Sequence, residues 1–418
     1  MPVTLAEAKN NTTDDVDLMV IDEFRKESVI LDLLPFDDCV NPSGGGGTLT
    51  YGYRRQITQA TADTRAINSE YTPQNVTTER YTTDLAVLGG AFEVDRVVAQ
   101  VGPSASSAVT LNMMTKVQAA STKFQDLVIN GDTAADENGF DGLNVALTGS
   151  NTEIGVGTTA TDWSDFDSGT RAEHKALDKI DDFLAVLDGT PSVILGNAKA
   201  LARVRAAARR AGQYTKDPVE GLLGDNGRPI TREAYGNVPF ADPGAKAGTN
   251  DPIIPIVTRS TKWQITETGT GGTFQVVVDG LATADLAYNV ANADLKAALE
   301  ALPGVGTVTV TGTPGTSASI TLTDARNLSL ITATTGGTHT IAENTGTKIE
   351  NVTDLYAVRF ALDGFKGLST VGGQLVHQWM PDFSSAKAVK TGEVELGPVG
   401  CALMKTKAAA VLRNIKVS

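Results

Sequence analysis

Cysteine and histidine are scarce in this chain of 418 residues. The two cysteines, Cys39 and Cys401, stand near opposite ends of the sequence, so they do not form the framework of a disulfide-rich fold. The three histidines, His174, His339 and His377, are far apart and have no cysteine or histidine beside them at metal-site spacing. We therefore predict reduced thiols, no metal site and no cofactor.

The motifs of common enzymes are also missing. The sequence has no Gly-x-Ser-x-Gly elbow, no His-Glu-x-x-His pair and no Walker A loop. The stretch GVGTTA (155–160) matches a loose dinucleotide pattern, but no strand pattern precedes it and TDWSDFD follows, so we interpret it as a loop. The acidic stretch 132–141 lacks EF-hand spacing, which leaves weak calcium binding as a minor alternative. We predict that the protein is not an enzyme.

Positive charge and long apolar runs are in short supply. The formal net charge is −14, which argues against affinity for nucleic acid along the whole chain. No apolar run approaches the ~20 residues that a membrane helix needs. The N-terminal MPVTLAEAKNNTTDD has neither the basic nor the apolar part of a signal peptide. We expect a protein that is made and used in the cytoplasm, without a membrane.

What the chain does contain begins with an arm, residues 1–40. In DDVDLMVIDEFRKESVILDLLPF (14–36) the apolar residues Val16, Val20, Phe24 and Leu31 recur near helical spacing, and Pro35 ends the pattern. Nothing before this short helix can pack on its own. We predict an N-terminal arm that needs a neighbouring surface.

Residues 41–100 have the pattern of two strands joined by a long polar tip. A run of glycines leads into GTLTYGYRRQ (47–56), and TTDLAVLGGAFEVDRVVAQ (82–100) alternates again, with a bend at its Gly-Gly pair. The segment between them is almost free of large apolar residues. We predict a protruding hairpin with a return strand, which is stabilised by lying on another surface.

The clearest helical pattern lies in residues 101–135. The stretch PSASSAVTLNMMTKVQAASTKFQDLVINGD (103–132) predicts a helix of roughly 25 residues, about 37 Å long, with Ser104 as N-cap and Gly131 at its end. Its apolar stripe consists of Met113, Val117, Ala120, Phe124 and Leu127.

Residues 136–261 indicate alternating helices and strands. Helices are predicted over 171–189 and 198–211, the second capped by Asn197, with the buried strand PSVILGN between them. We interpret 212–248 as mostly loop and DPIIPIVTR (251–259) as a strand. The second helix carries four arginines but no aromatic residue. A solvated or subunit-facing role is therefore favoured over nucleic-acid contact.

Residues 262–348 differ in composition, because charges become rare and Thr and Gly dominate. Five strands are predicted here, within TKWQITETG, GGTFQVVVDG, GTVTVTG, SASITLTD and LSLITATT, together with the helix NADLKAALEALPG. The earlier pattern resumes over residues 349–418 with further strands. We predict an inserted α+β domain whose two ends lie close together on its host.

The order of these parts resembles that of the major capsid proteins of tailed bacteriophages, which have the Hong Kong 97-type fold. GTLTYGYRRQ to TTDLAVLGGAFEVDRVVAQ resembles their extended loop, and SSAVTLNMMTKVQAASTKFQDLVINGD with GFDGL resembles their spine helix and the following turn. DLYAVRFALDGFKGLSTVGG resembles an axial-domain strand and loop, and 380–415 resembles the closing strands. The resemblance covers nearly everything except 262–348.

That resemblance implies an α+β fold with an N-terminal arm, an extended loop, a peripheral domain with a spine helix, and an axial domain over 136–261. The axial domain would resume over 349–418, together with further strands of the peripheral domain. It implies hexamers and pentamers in an icosahedral shell around double-stranded DNA, assembled in the host bacterial cytoplasm, with scaffolding, portal and decoration proteins as further partners. The extended loop would lie over the adjacent subunit, and the spine helix would face inward. The predicted interface residues are Tyr51, Tyr53, Arg54, Arg55, Arg65 and Arg80, and the lysines nearest DNA are Lys116 and Lys123.

Three alternatives remain open at the level of sequence. They are an encapsulin-like shell subunit, another phage structural protein such as a tail or fibre subunit, and an enzyme. For the insertion at 262–348 we predict exposure on the outer surface of the shell and little effect of its deletion on assembly.

Overall fold

A computed structural model of the protein describes residues 29–41, 48–97, 108–167, 169–212, 215–223, 229–269, 271–313, 315–332, 337–372, 375–384 and 387–418. The predicted arm residues Val16, Val20 and Phe24 and the predicted N-cap Ser104 lie outside these ranges. Among the helices described, none is long and apolar enough to cross a membrane.

The described residues form a mixed α+β structure. Its α-helices are α1 (Ile30–Leu33), α2 (Ala108–Asn130), α3 (Leu143–Leu147), α4 (Ala172–Ala185), α5 (Ala198–Arg210) and α6 (Asn292–Glu300). The first strands are β1 (Phe36–Val40), β2 (Thr50–Gln56), β3 (Thr78–Asp84), β4 (Ala86–Asp95), β5 (Glu153–Ile154), β6 (Thr161–Asp162), β7 (Val193–Gly196), β8 (Thr215–Leu223), β9 (Pro229–Tyr235) and β10 (Val238–Ala241). The later strands are β11 (Val257–Gly269), β12 (Thr273–Val278), β13 (Leu281–Ala282), β14 (Leu286–Ala287), β15 (Val308–Thr313), β16 (Ser317–Arg326), β17 (Leu328–Thr332), β18 (Gly337–Glu343), β19 (Lys348–Val358), β20 (Phe365–Thr370), β21 (Val376–Trp379), β22 (Val389–Leu403) and β23 (Ala409–Lys416).

The long helix α2 packs on a five-stranded sheet, which we call the smaller sheet. Its strand order is β1-β20-β22-β21, with β4 paired to β22. The predicted helix is confirmed from Ala108 onward, and its predicted stripe contributes the buried Met113, Phe124 and Leu127. Its end requires glycine. A Cβ atom at Gly131 would lie 2.2 Å from the carbonyl oxygen of Phe140.

The larger sheet runs in the order β15-β16-β11-β19-β7-β10-β9-β8, with β23 beside β19. Helices α4 and α5 bury their apolar faces in one core with β7, β10, β19 and β23, as their spacing predicts. The Asn197 side chain caps α5 by accepting a hydrogen bond from the N–H of Lys199 at 3.0 Å.

The interpretation of 212–248 as mostly loop is wrong, because strands β8, β9 and β10 lie there. Pro218 and Gly221 interrupt the strand pattern of β8 in the sequence, because both residue types are unfavourable inside strands. The structure accommodates them because β8 is the last strand of its sheet and its pairing with β9 shifts register between Pro218 and Leu223.

The five strands and the helix predicted within 262–348 are confirmed, and the structure adds β18 and the two-residue strands β13 and β14, which the sequence pattern did not indicate. Their side chains form a separate apolar core around Trp263, Phe274 and Leu299. The two ends of this segment are neighbours. Ser260 pairs with Lys348, and the N–H of Thr261 donates to the carbonyl of Thr347 at 3.0 Å.

The predicted hairpin has a short paired base and a long exposed tip. Strands β2 and β3 pair from Thr50 with Asp84 to Gln56 with Thr78, and every residue from 57 to 80 is exposed. A segment of this length with no buried side chain contributes nothing to a core of its own.

Candidate assembly surfaces

One face of the paired hairpin base is fixed to its own subunit. The hydroxyl of Tyr53 donates to the carbonyl of Leu403 at 3.0 Å, and Nε of Arg55 donates to the carbonyl of Met404 at 3.2 Å. The Arg55 guanidinium also donates to the Leu403 carbonyl. Burial raises the pKa of Tyr53, although the nearby Arg55 opposes the shift. Bonds from two side chains to neighbouring carbonyls set the angle at which the hairpin leaves the body.

Aromatic stacking extends this anchor. The rings of Tyr51 and Tyr53 stack at a centroid distance of 5.9 Å, and those of Tyr53 and Tyr81 at 5.8 Å. The Lys366 ammonium donates to the Tyr51 hydroxyl at 3.2 Å, and the Arg55 guanidinium lies 4.4 Å from the Tyr81 ring. The structure thus brings the predicted interface residues Tyr51, Tyr53 and Arg55 together inside one subunit.

The other three predicted interface arginines point elsewhere. Arg54 and Arg80 are exposed and directly opposite each other across β2 and β3. Arg65 lies in the tip, where it donates to the carbonyl of Ser69 at 3.0 Å and lies 5.5 Å from the Tyr71 ring. None of the three arginines forms an ion pair with another described residue. Their role between subunits stays a prediction.

The two lysines predicted to lie near DNA have different surroundings on α2. The Lys116 side chain lies over strand β4. Its Cδ atom is so close to Gly90 that a Cβ atom added to that glycine would be 3.4 Å away. The exposed Lys123 has its ammonium 3.9 Å from the Asp126 carboxylate. Their approach to DNA stays a prediction.

A buried cluster of charges was missed by the sequence analysis. Arg259 donates to Asp279 at 2.9 Å and to Asp354 at 2.8 Å, and Arg413 donates to Asp354 at 2.9 Å. All four side chains are at least nine-tenths buried. The cluster lies where the inserted segment meets its host, since Asp279 belongs to the first and Asp354 to the second.

Two further residues complete the cluster and balance its charge. Arg413 also donates to Glu153 at 2.9 Å, and Arg326 donates to Asp279 at 3.3 Å. Three arginines therefore face three carboxylates. Burial alone would raise the pKa of Asp354, but the charges of Arg259 and Arg413 outweigh it and hold that pKa well below its usual range. Scattered single charges 20 to 260 residues apart give no sequence pattern that would reveal such a cluster.

An apolar groove of roughly 400 Å³ lies between α2 and the end of the smaller sheet. Met113, Met114 and Met380 are among its lining residues, and Met114 and Met380 are exposed. Trp379 and Phe383, nearby in the chain, also expose their rings. Large apolar side chains clustered at a surface are typical of a protein that meets a partner there.

No protein-family model and no curated protein sequence matches the chain. Among solved structures, the chain is similar to the holo-SrpI encapsulin complex from Synechococcus elongatus PCC 7942, with 12% identity, a TM-score of 0.51 and coverage of 100% of this chain and 98% of that chain. It is also similar to the capsid of a native GTA particle (9% identity, TM-score 0.49, 99% of both chains) and to the capsid of Myoviridae phage XM1 (9% identity, TM-score 0.44, 98% of both chains). Identities this low show the fold alone. The predicted α+β class and its Hong Kong 97-type capsid architecture are confirmed.

Proposed function

We propose that this chain with the Hong Kong 97-type fold is the subunit of a closed protein shell, and specifically the major capsid protein of a tailed bacteriophage. The observation that carries the proposal is the hairpin. Its base is fixed by Tyr53 and Arg55, yet every residue from 57 to 80 is exposed. Such an element is stabilised when it lies on a second copy, as hexamers and pentamers of an icosahedral shell provide.

The charge of the chain fits a container for double-stranded DNA. A net charge of −14 opposes tight binding of phosphates, which depends on clustered Lys and Arg. The shell would therefore enclose DNA without sequence-specific contacts. Assembly in the bacterial cytoplasm, with scaffolding, portal and decoration proteins as partners, belongs to the same proposal.

The second candidate function is an encapsulin-like shell. It is favoured by one observation, the similarity to the SrpI encapsulin over the full chain. The two functions share the fold and differ in what the shell encloses.

The experiment is expression of the chain, purification and electron microscopy of the product. We expect capsomers or closed shells with icosahedral symmetry. A stable monomer at high concentration would contradict the shell proposal, and helical tubes would favour a tail subunit. Mass spectrometry and nuclease digestion of the contents of native particles then decide between the two shells, since DNA supports the capsid and a cargo protein the encapsulin-like shell.

A further inference from the structure

Two ionisable side chains face each other at the edge of the apolar core of the inserted segment. Along β11 the inward-facing residues are Trp263 and Ile265, followed by Glu267. The register places Glu267 directly opposite His339 on β18, and each of the two residues is only 8% exposed. The centroid of the Phe274 ring lies 4.8 Å from that of the imidazole. A carboxyl and an imidazole thus occupy positions where the strand pattern predicts apolar side chains.

Each of these two side chains has a buried polar atom without a hydrogen-bond partner. Within the part of the chain that the structure describes, the atoms are Oε2 of Glu267 and Nδ1 of His339. Such an atom has lost its bonds to water and gained none from the protein, so it marks a place where water or an ion binds. Two such atoms on directly opposed residues indicate one species that contacts both.

The backbone brings the two side chains close enough to share a ligand. The N–H of Glu267 donates to the carbonyl of Thr316 at 2.9 Å, so the backbone polar groups of Glu267 point towards β16 and away from β18. Glu267 and His339 therefore form a non-hydrogen-bonded pair, in which opposed side chains are closer and the Cβ atoms are about 4.5–5.5 Å apart. Zinc binds imidazole nitrogen and carboxylate oxygen at about 2.0–2.2 Å, which this separation accommodates.

The protonation of both groups suits a bound cation. Burial lowers the pKa of His339, which keeps its imidazole unprotonated at neutral pH and leaves a nitrogen lone pair for a metal. Burial raises the pKa of Glu267, although a hydrogen bond from the N–H of Gly315 opposes the shift. A cation beside the carboxylate would offset the effect of burial, because a nearby positive charge favours the ionised form.

We propose that Glu267 and His339 bind one divalent transition-metal ion, such as zinc, between Oε2 and Nδ1. No group of three or more His, Cys, Asp or Glu side chains suited to a metal occurs among the described residues, so the site has two protein ligands and water completes the coordination. The sequence does not reveal the site, because its ligands lie on different strands far apart in the chain. The ion would join β11 to β18, whatever the assembled chain encloses.

The first test is calorimetric titration of the purified full chain with zinc chloride. Even the loss of an outer-shell partner lowers metal affinity about 10–100-fold, so Glu267→Gln with His339→Asn should bind one zinc ion fewer per chain than the wild type. The matched control is Glu173→Gln with His174→Asn, which alters a second Glu–His pair on α4, 3.9 Å apart at its nearest atoms and more exposed. The control should keep the zinc ion that the site variant loses.

A second site variant guards against misfolding. Glu267→Leu with His339→Phe places apolar side chains beside Phe274 and should fold, as circular dichroism verifies, while also binding one zinc ion fewer. If the wild type binds no zinc, or if both folded site variants bind as much as the wild type, the metal site is overturned and a buried water bridges the two residues.

The ligands themselves are tested with cobalt chloride as the probe. His339→Cys replaces the imidazole by a thiolate, another ligand that such metals accept. This variant should therefore bind Co²⁺ and show a thiolate-to-metal charge-transfer band in the near ultraviolet. The wild type, which has the same Cys39 and Cys401, should lack that band. Absence of the band from the folded variant would contradict the assignment of His339 as a ligand.

Discussion

Three buried arginines and three buried carboxylates make single residues decisive for the stability of this protein. Asp279 forms ion pairs with both Arg259 and Arg326, and Asp354 forms ion pairs with both Arg259 and Arg413. Removing one partner of a buried ion pair is far more costly than removing both, because it leaves an uncompensated charge away from water.

Asp279→Asn should therefore destabilise the protein by about 3–5 kcal/mol, since the shape of the side chain remains while one buried arginine charge loses its counter-ion. Chemical denaturation measures the change in the free energy of unfolding. Asp324→Asn is the control. The Asp324 carboxylate comes no closer than 3.9 Å to the Arg326 guanidinium and is partly exposed, so its loss should cost little. A loss below about 1 kcal/mol for Asp279→Asn would show that the cluster relaxes or admits water.

The same residues predict a dependence on acid. The paired arginines hold the pKa of Asp279 and Asp354 below the usual range of a carboxyl despite the opposing effect of burial. A carboxyl with a lowered folded-state pKa stabilises the fold above its unfolded-state pKa of about 3.9, and this contribution is lost as the pH falls below it. Urea midpoints measured from pH 6 to pH 3 should therefore fall.

Asp279→Asn should show a smaller fall over the same range, because one of the responsible carboxyls is gone. Equal slopes for the variant and the wild type would indicate that other groups dominate the acid sensitivity.

At the scale of elements, the C-terminal end of α2 depends on close backbone contact. Gly131→Ala would place a Cβ atom 2.2 Å from the Phe140 carbonyl and 2.5 Å from the Leu127 carbonyl. The helix end would have to move, so we expect destabilisation of about 1–3 kcal/mol, measured as a lower thermal midpoint. Gly169→Ala should change little, since its nearest neighbour would be the Ala172 Cβ at 3.8 Å. An unchanged midpoint for Gly131→Ala would contradict this interpretation of the turn.

How far the sequence predicts each element follows from how locally the element is encoded. The helices α2, α4, α5 and α6 carry their own apolar spacing, and Asn197 caps α5 by contact with a residue two positions away. Strand β8 escaped prediction because Pro218 and Gly221 interrupt its pattern, and its pairing with β9 decides its structure. The anchoring of Tyr53 and Arg55 on residues about 350 positions away could not be predicted from local pattern either.

At the scale of the whole molecule, the inserted segment 262–348 should be removable. Its deletion removes Asp279 and Arg326 together, which leaves Arg259 and Arg413 with Asp354 and Glu153 and keeps the buried charge balanced. The adjacent positions of Ser260 and Lys348 allow a short Gly/Ser linker to join the ends. We expect such a chain to form capsomers in electron micrographs. Failure to assemble by a folded deletion chain would show that the segment makes essential contacts between subunits.

Strand β11 begins in the host sheet opposite Val352 and continues without interruption into the inserted segment, where it pairs with β16 and β18. A strand shared in this way fixes the orientation of the inserted segment relative to the host sheet, which a flexible linker would not do. In a symmetric particle, every copy of the insertion would therefore stand at the same angle and survive averaging. A reconstruction of the shell should show the insertion at a local resolution close to that of the sheet from which it grows.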